Sequence, residues 1–280
     1  MSVVSGGIGV DGWYVFTPSS PVAATAPVTV ITHGYGEFSG YSTMRDLIRH
    51  TVRQGNIVIY PRWQTCGLCP RPDMEQPLAS AARGIKGALN WLMSASNRTR
   101  PRLNTTSYFG FSYGGMITVN LINRYKKLGL PEPHVVMVDE PSGGPVGDQF
   151  DTDLSGIPSE TRFSCLVSQW SAEHLPTHGC YSFWNRLGHL PDRHKTFVLV
   201  HSDAHGTPAL NAVHGMSTSD PVDAIDYYAV WKIWDAERAC ALSRVWCQYS
   251  NNSALQRYMG RWSDGVPVIP LHTSDRPVAA

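Results

Sequence analysis

A serine stands between two glycines in the stretch Gly110-Phe111-Ser112-Tyr113-Gly114. The residues before it, TTSYFG, are rich in Thr, Tyr and Phe and favour a β-strand. The residues after it, YGGMITVNLINRYKKLG, have apolar positions at helical spacing and end in a glycine. A serine in such a sharp strand-to-helix turn has strained backbone angles, and a flanking Cβ would clash. The pattern predicts Ser112 as a nucleophile lifted clear of a sheet; the alternative is a glycine-rich turn that only packs closely.

A serine hydroxyl is a weak nucleophile unless a base accepts its proton. After the last predicted strand, the stretch VLVHSDAHGTPAL offers His201 and His205. His201 lies inside the apolar run and is interpreted as a packed strand residue. His205 follows the strand end and precedes a glycine, so it is the predicted base. His214, further along the chain, is the third choice.

The base works best when a carboxylate orients it. Glu173 follows the predicted strand that precedes the histidine, and it is the predicted acid. Its alternative interpretation is a solvated loop residue. Asp139 and Glu140, at the end of the preceding strand, compete with it, and Asp139 ranks second. Asp203 is too close to His205 in sequence to orient that ring easily.

Ester or amide cleavage also needs donors for the oxyanion. The backbone N–H of Tyr113, directly after the serine, is the first predicted donor. The second is the N–H of Tyr35 in His33-Gly34-Tyr35-Gly36, where Gly34 lets the chain turn close to the site. The alternative interpretation of this stretch is a simple tight turn.

The elements that must position these residues alternate along the chain. Strands are predicted over 28–34, 56–62, 105–110, 134–141, 162–169 and 196–203, and helices over 42–55, 77–96, 113–129, 179–188 and 222–246. The strands are continuous apolar runs, as expected when both faces are buried. Alternation of this kind predicts a parallel sheet covered by helices on both faces.

The chain as a whole excludes some classes of protein. It has 280 residues, a hydrophobic content of 42% and a net charge of +1. These values fit a single domain over 1–280 and give no electrostatic reason to expect nucleic acid or an acidic membrane as a partner. No run of 18 or more apolar residues predicts a membrane span, and the first residues lack the pattern of a signal peptide.

The cysteines favour a disulfide over a metal site, with free thiols as the alternative. Cys66 and Cys69 form one close pair in a proline-rich stretch, whereas a zinc site needs a second pair or well-spaced histidines. Cys240 and Cys247 could pair only if their predicted helix breaks, because seven residues of helix span about 10.5 Å. A Cys66–Cys69 bond favours a secreted protein over a cytoplasmic one. No metal and no cofactor is predicted.

The segments THGYG, GNIVIYPRW, GFSYGG and SDAHG resemble the α/β-hydrolase superfamily over roughly residues 25–250. The order serine, acid, histidine is that superfamily's order. The resemblance implies an α/β-hydrolase fold with a minimal lid, similar to small esterases of the dienelactone-hydrolase and cutinase-like groups. In cutinase-like polyester hydrolases an aromatic residue often follows the turn glycine and contributes its N–H, and Tyr35 matches that position. The glutamate at 173 departs from the family's usual aspartate, and the strand-end loop lacks the usual Gly-x-x-Asp pattern.

These residues together predict a serine hydrolase that cleaves carboxylic esters through an acyl-enzyme intermediate. The substrate is expected to be a small-molecule or polymeric ester. Trp63 and Trp170 fall near strand ends, where such folds bind ligands, and are the predicted substrate-binding aromatics; ordinary packing is the alternative. The competing functions are an amidase or peptidase on the same residues and a non-catalytic binding protein of the same fold.

Overall fold

The computed structural model describes residues 1–94, 99–171, 178–218 and 221–278. Within these residues, nine strands form one sheet in the order β1-β2-β4-β3-β5-β6-β7-β8-β9. The strands are β1 (Ser2–Gly6), β2 (Trp13–Thr17), β3 (Thr25–Thr32), β4 (Ile57–Pro61), β5 (Arg100–Phe111), β6 (Val135–Asp139), β7 (Arg162–Ser168), β8 (Lys195–Val200) and β9 (His272–Ser274). The strands from β4 across to β8 run parallel, and β1, β2 and β9 pair antiparallel. The predicted α/β class is confirmed.

Helices lie between the strands: most connect parallel strands, and the last two lead from β8 to the antiparallel strand β9. The helices are α1 (Arg45–Arg53), α2 (Glu75–Met93), α3 (Tyr113–Asn123), α4 (Tyr125–Leu128), α5 (Gly179–Phe183), α6 (Lys232–Ser243) and α7 (Ala254–Arg257). A π-helical segment, Ile225–Trp231, leads directly into α6. Among the described residues, no helix combines the length and apolar character that a membrane span requires.

Each face of the sheet has its own apolar core. Leu78, Ile85 and Ile117 of α2 and α3 belong to the core on one face, and Ile48 and Trp234 of α1 and α6 belong to the core on the other. All residues of β6 and β8 are buried, because helices cover both of their faces. This burial explains why the strands read as continuous apolar runs in the sequence.

Three disulfides join the cysteines. The predicted Cys66–Cys69 bond is present. The Cys240–Cys247 bond is present because α6 ends at Ser243 and the chain turns back through left-handed residues, which brings the two Cα atoms to 4.8 Å. A bond between the cysteines at 165 and 180, which ties β7 to α5, was not predicted.

Candidate active site

Ser112 lies in a strained turn between β5 and α3. Its backbone angles are φ 53° and ψ −126°, a conformation that an L-residue rarely adopts. Its N–H donates to the carbonyl oxygen of Asp139 at 2.9 Å, which ties the turn to the end of the neighbouring strand β6. The hydroxyl is therefore presented at the carboxyl end of the parallel sheet, where α/β proteins bind ligands.

The two flanking glycines are required by packing. A Cβ on Gly110 would lie 2.6 Å from the carbonyl oxygen of Gly114, and a Cβ on Gly114 would lie 2.2 Å from that of His33. Both contacts are with backbone atoms, which cannot move aside as a side chain can. The spacing of glycines around Ser112 thus follows from the close approach of β3, β5 and α3.

The ring beside Ser112 is that of His214. Its Nε2 lies 2.9 Å from Ser112 Oγ, and its ring contacts Phe111 at 5.2 Å between centroids. The loop that carries it is attached to the sheet by two bonds: Ala212 N–H donates to Ser202 Oγ, and Trp170 N–H donates to the Ala212 carbonyl. Ser112 can donate its proton to Nε2 when the hydrogen of the neutral ring is on Nδ1.

The prediction of His205 as the partner of Ser112 is corrected by this geometry. His205 Nε2 lies 2.7 Å from Asp264 Oδ2, and the His205 N–H donates to Asp203 Oδ1. Reciprocal backbone bonds between Asp203 and Leu210 close off the short loop that contains His205. The loop turns His205 towards the C-terminal segment. The residue that comes close to Ser112 is His214, nine positions later in the chain.

The other early histidine, His201, follows β8 directly. It is partly buried, and this burial lowers its pKa, with a smaller contribution from His272. These observations are compatible with its interpretation as a packed strand-end residue.

The carboxylate of Glu140 lies beside the ring of His214. Its Oε2 lies 3.9 Å from His214 Nδ1, and its Oε1 accepts a bond from the N–H of Ser168. Glu140 has a left-handed φ of 49° and is fully buried, as is Asp139 before it. The predicted acid Glu173 lies outside the described residues.

Burial sets the protonation of Glu140. Removal from water, followed by the adjacent carboxyl of Asp139, raises the pKa of Glu140 to about 8. Hydrogen bonds from Ser168 and Ser171 and the charge of His214 act in the opposite direction. The carboxyl group that faces His214 therefore changes its charge in the mildly alkaline range.

The loop after β3 holds one peptide group in a fixed orientation. His33 Nδ1 lies 2.9 Å from the carbonyl oxygen of Gly34, and because a carbonyl only accepts, Nδ1 carries the hydrogen. Burial lowers the pKa of His33 to about 4, so its ring is neutral at pH 7. The same peptide group bears the N–H of Tyr35. The N–H groups on either side are bonded, that of Gly34 to Glu37 and that of Gly36 to a glutamine at 64.

Trp63 lies beneath this loop. It is fully buried, its ring stacks on His33 at 4.8 Å and on Tyr113 at 5.2 Å, and its Nε1 donates to the carbonyl of His33. Trp63 therefore packs beneath the loop that carries Tyr35. The prediction that it contacts substrate is wrong, because its side chain is fully buried. Trp170 is 67% exposed and lies beside the loop of His214, through its bond to Ala212.

A cleft of about 200 Å³ opens beside Ser112. Its lining is mostly apolar. The residues that line it are Tyr35, Pro72, Ser112, Tyr113, Ser142, Gly143, Gly144 and Val146. Tyr113 is the first residue of α3, so its N–H has no acceptor one turn earlier in the helix. The structure thus brings together Ser112, Tyr35 and Tyr113 at one cleft.

Two residues beside Ser112 are not the first choices of the sequence analysis: His214 is its third histidine, and Glu140 is a competitor of Glu173. The signal that favours Glu140 is its position directly after a buried strand next to β5. His214 carries no local signal beyond its residue type.

Within the described residues, no group of three or more His, Cys, Asp or Glu side chains could hold a metal ion. Comparison of the chain with protein-family models and with curated proteins finds no match.

Proposed function

We propose that this protein is a serine hydrolase that cleaves carboxylic esters, with Ser112 as nucleophile, His214 as base and Glu140 as the acid that orients the base. One observation carries the proposal: Ser112 stands in a strained turn with its Oγ 2.9 Å from a histidine nitrogen. A strained serine at the end of a parallel strand, bonded to a base, is the arrangement from which acyl-transfer enzymes work.

The architecture supports the same proposal. We infer an α/β-hydrolase fold, because the serine follows β5, the acid follows β6 and the histidine follows β8, in the chain order of that superfamily. The 3.9 Å between Glu140 and His214 is longer than a hydrogen bond, and catalytic pairs of this kind tighten when substrate is bound.

In the first half of the reaction, Ser112 Oγ forms a bond to the ester carbonyl carbon while its proton moves to His214 Nε2. The electron pair of the carbonyl moves to its oxygen, and the N–H groups of Tyr35 and Tyr113 are the proposed donors to that oxyanion. When the intermediate collapses, the bond to the alcohol oxygen breaks. That oxygen takes the proton from His214 and the acyl group stays on Ser112.

In the second half, water replaces the alcohol. The water oxygen bonds to the acyl carbon while His214 takes a proton from that water. The bond between Ser112 Oγ and the acyl carbon then breaks, His214 returns the proton to Oγ, and the acid product leaves. The positive charge on His214 during both halves is balanced by an ionised Glu140. This role requires Glu140 to be deprotonated.

The test is the exchange Ser112→Ala, assayed with p-nitrophenyl butyrate and with a fluorophosphonate probe. We expect kcat to fall by about a thousandfold or more and labelling by the probe to be lost, while circular dichroism and the unfolding midpoint stay unchanged. A folded variant that keeps a tenth of the activity would rule out Ser112 as the nucleophile. Equal hydrolysis of the matching anilides would favour the amidase alternative, and an unlabelled, inactive wild type would favour a binding protein.

A further inference from the structure

The cleft beside Ser112 has two walls from opposite sides of β5. Tyr35 and Pro72 follow β3 and β4, which lie on one side of β5 in the sheet. The segment 142–146 follows β6, which lies on the other side. Asp148 fixes this second wall, because its carboxylate accepts bonds from the N–H groups of Gly143 and Gly179 at 2.8 and 2.7 Å.

The cleft lies on the oxyanion side of the serine. It is lined by Tyr35 and Tyr113, which carry the proposed oxyanion donors, and its lining in the described part of the chain does not include His214. A leaving alcohol must face His214, since it takes its proton from that ring. The group that occupies the cleft is therefore the acyl group of the ester, and the alcohol lies outside it.

The lining favours an uncharged acyl group. Its side chains are aromatic, aliphatic or hydroxyl-bearing, and none of those in the described residues is charged. Two carboxylates stand next to the lining: Asp148 accepts a bond from the Gly143 N–H, and Asp73, after burial, contributes to the raised pKa of Tyr113. An acyl group with its own carboxylate would lose water and meet like charge there.

The size of the cleft limits the length of the acyl group. Its volume is about 200 Å³. A water-sized group takes about 30 Å³ of liquid volume, so the volume of the cleft corresponds to about six or seven heavy atoms. We infer that this cleft is the acyl site of the proposed esterase and that it selects short, uncharged acyl chains of up to about six carbons. The inference rests on the proposed ester hydrolysis.

The first experiment is a series of p-nitrophenyl esters from acetate to decanoate, each below its micelle concentration. We expect kcat/KM to rise by about fourfold per methylene up to about hexanoate, because each methylene is taken out of water, and then to stay level. The p-nitrophenyl monoester of glutaric acid should react at least about tenfold more slowly than the valerate, which has the same chain length without the charge.

Two valines provide a matched pair of variants. Val146 is 44% exposed and lines the cleft, whereas Val213 is 42% exposed, stands next to His214 and is not among the lining residues. Val146→Phe should end the rise in kcat/KM at about butyrate and lower the hexanoate value by about tenfold, with acetate changed by less than about threefold. Val213→Phe should leave the ratios within the acyl series unchanged.

The outcomes separate this inference from the proposed function. Ester hydrolysis that keeps rising through decanoate, or an acyl series that responds to Val213→Phe and not to Val146→Phe, overturns the acyl assignment and leaves the esterase proposal standing. Absence of hydrolysis for every ester, together with absence of fluorophosphonate labelling, overturns both.

Discussion

At the scale of the residue, the histidine beside Ser112 in the structure is His214, whereas the sequence predicts His205. His214 lies 2.9 Å from Ser112 Oγ, and His205 is bonded to Asp264. We expect His214→Ala to lower kcat/KM by about a thousandfold, because the serine loses its base. His205→Ala should change kcat/KM by less than about threefold. Esterase assays on both folded variants test this, and a His205→Ala loss as large as that of His214→Ala would contradict the assignment.

The pair Asp139 and Glu140 predicts a pH profile. In the proposed mechanism, Glu140 balances a charged His214 only as a carboxylate, and its pKa is raised to about 8 by burial and then by Asp139. We therefore expect kcat/KM to rise as pH passes through about 8. Asp139→Asn removes the second cause and should move this limb to lower pH. Glu140→Gln should abolish the limb and lower kcat/KM at pH 9 by at least about a hundredfold.

The same carboxyl affects folding stability with a defined sign. Glu140 has a higher pKa in the folded protein than in the unfolded chain, so the folded state binds more protons between the two values. Its contribution to stability is present below the unfolded pKa and is lost as pH rises through about 8. Urea unfolding at pH 6 and pH 9, in wild type and Glu140→Gln, measures this difference.

The pH profile of activity has its own contradicting outcome. If the rise in kcat/KM stays at the same pH in Asp139→Asn, then Asp139 does not raise the pKa of Glu140.

Much of the residue-scale site could be predicted because its signals are local. The glycines on either side of Ser112 lie against backbone atoms of neighbouring elements, and the glycine before Tyr35 lies against the side chains of Phe111 and Ser112. Such close approaches require glycine and therefore leave a mark in the sequence. The position of His214 beside Ser112 could not be predicted in the same way. The distance in sequence from a strand end to His214 depends on how the intervening loop folds, and its bonds to Ser202 and Trp170 have no local pattern.

At the scale of the element, the crossing of β3 and α3 predicts the effect of Gly114→Ala. The new Cβ would lie 2.2 Å from one carbonyl oxygen and 2.5 Å from another, both in backbone. We expect the free energy of unfolding to fall by about 3 kcal/mol or more. Gly67→Ala is the control, because its Cβ would have no atom within 4 Å, and its cost should be below about 0.5 kcal/mol. Denaturant titration of both variants decides; equal costs would show that the crossing is looser than described.

The outermost strands β1 and β9, at the two opposite edges of the sheet, were not predicted, for a physical reason. The predicted parallel strands are recognisable because both of their faces are buried. Four of the five residues of β1 are exposed, and β9 has only three residues, so neither produces an apolar run. Their pairing is determined by neighbouring strands rather than by their own composition.

At the scale of the whole molecule, three disulfides predict the behaviour of the unfolded chain. None of the six cysteines should react with a thiol dye after unfolding without reductant. The buried Cys165–Cys180 bond should resist a phosphine reductant in the native protein and yield after unfolding, because exchange needs access to the sulfur. Replacing both cysteines by alanine should lower stability by about 3 kcal/mol, as expected for a closed loop of this size. Six reactive thiols in the unreduced chain would remove the support for a secreted protein.

The bridge between Asp203 and Leu210 has a consequence for how this chain tolerates changes in length. Their two N–H groups donate to each other's carbonyl oxygens at 2.9 Å, so residues 204–209 leave the main path of the chain and return to the same point. Residues inserted there, or removed from there, would lengthen or shorten a side loop without displacing His214. The same number of residues inserted between Leu210 and His214 would shift the histidine away from Ser112. The two stretches therefore differ in the insertions that they tolerate. A short glycine-serine insertion within 204–209 should leave ester hydrolysis unchanged, and the same insertion between Leu210 and His214 should abolish it.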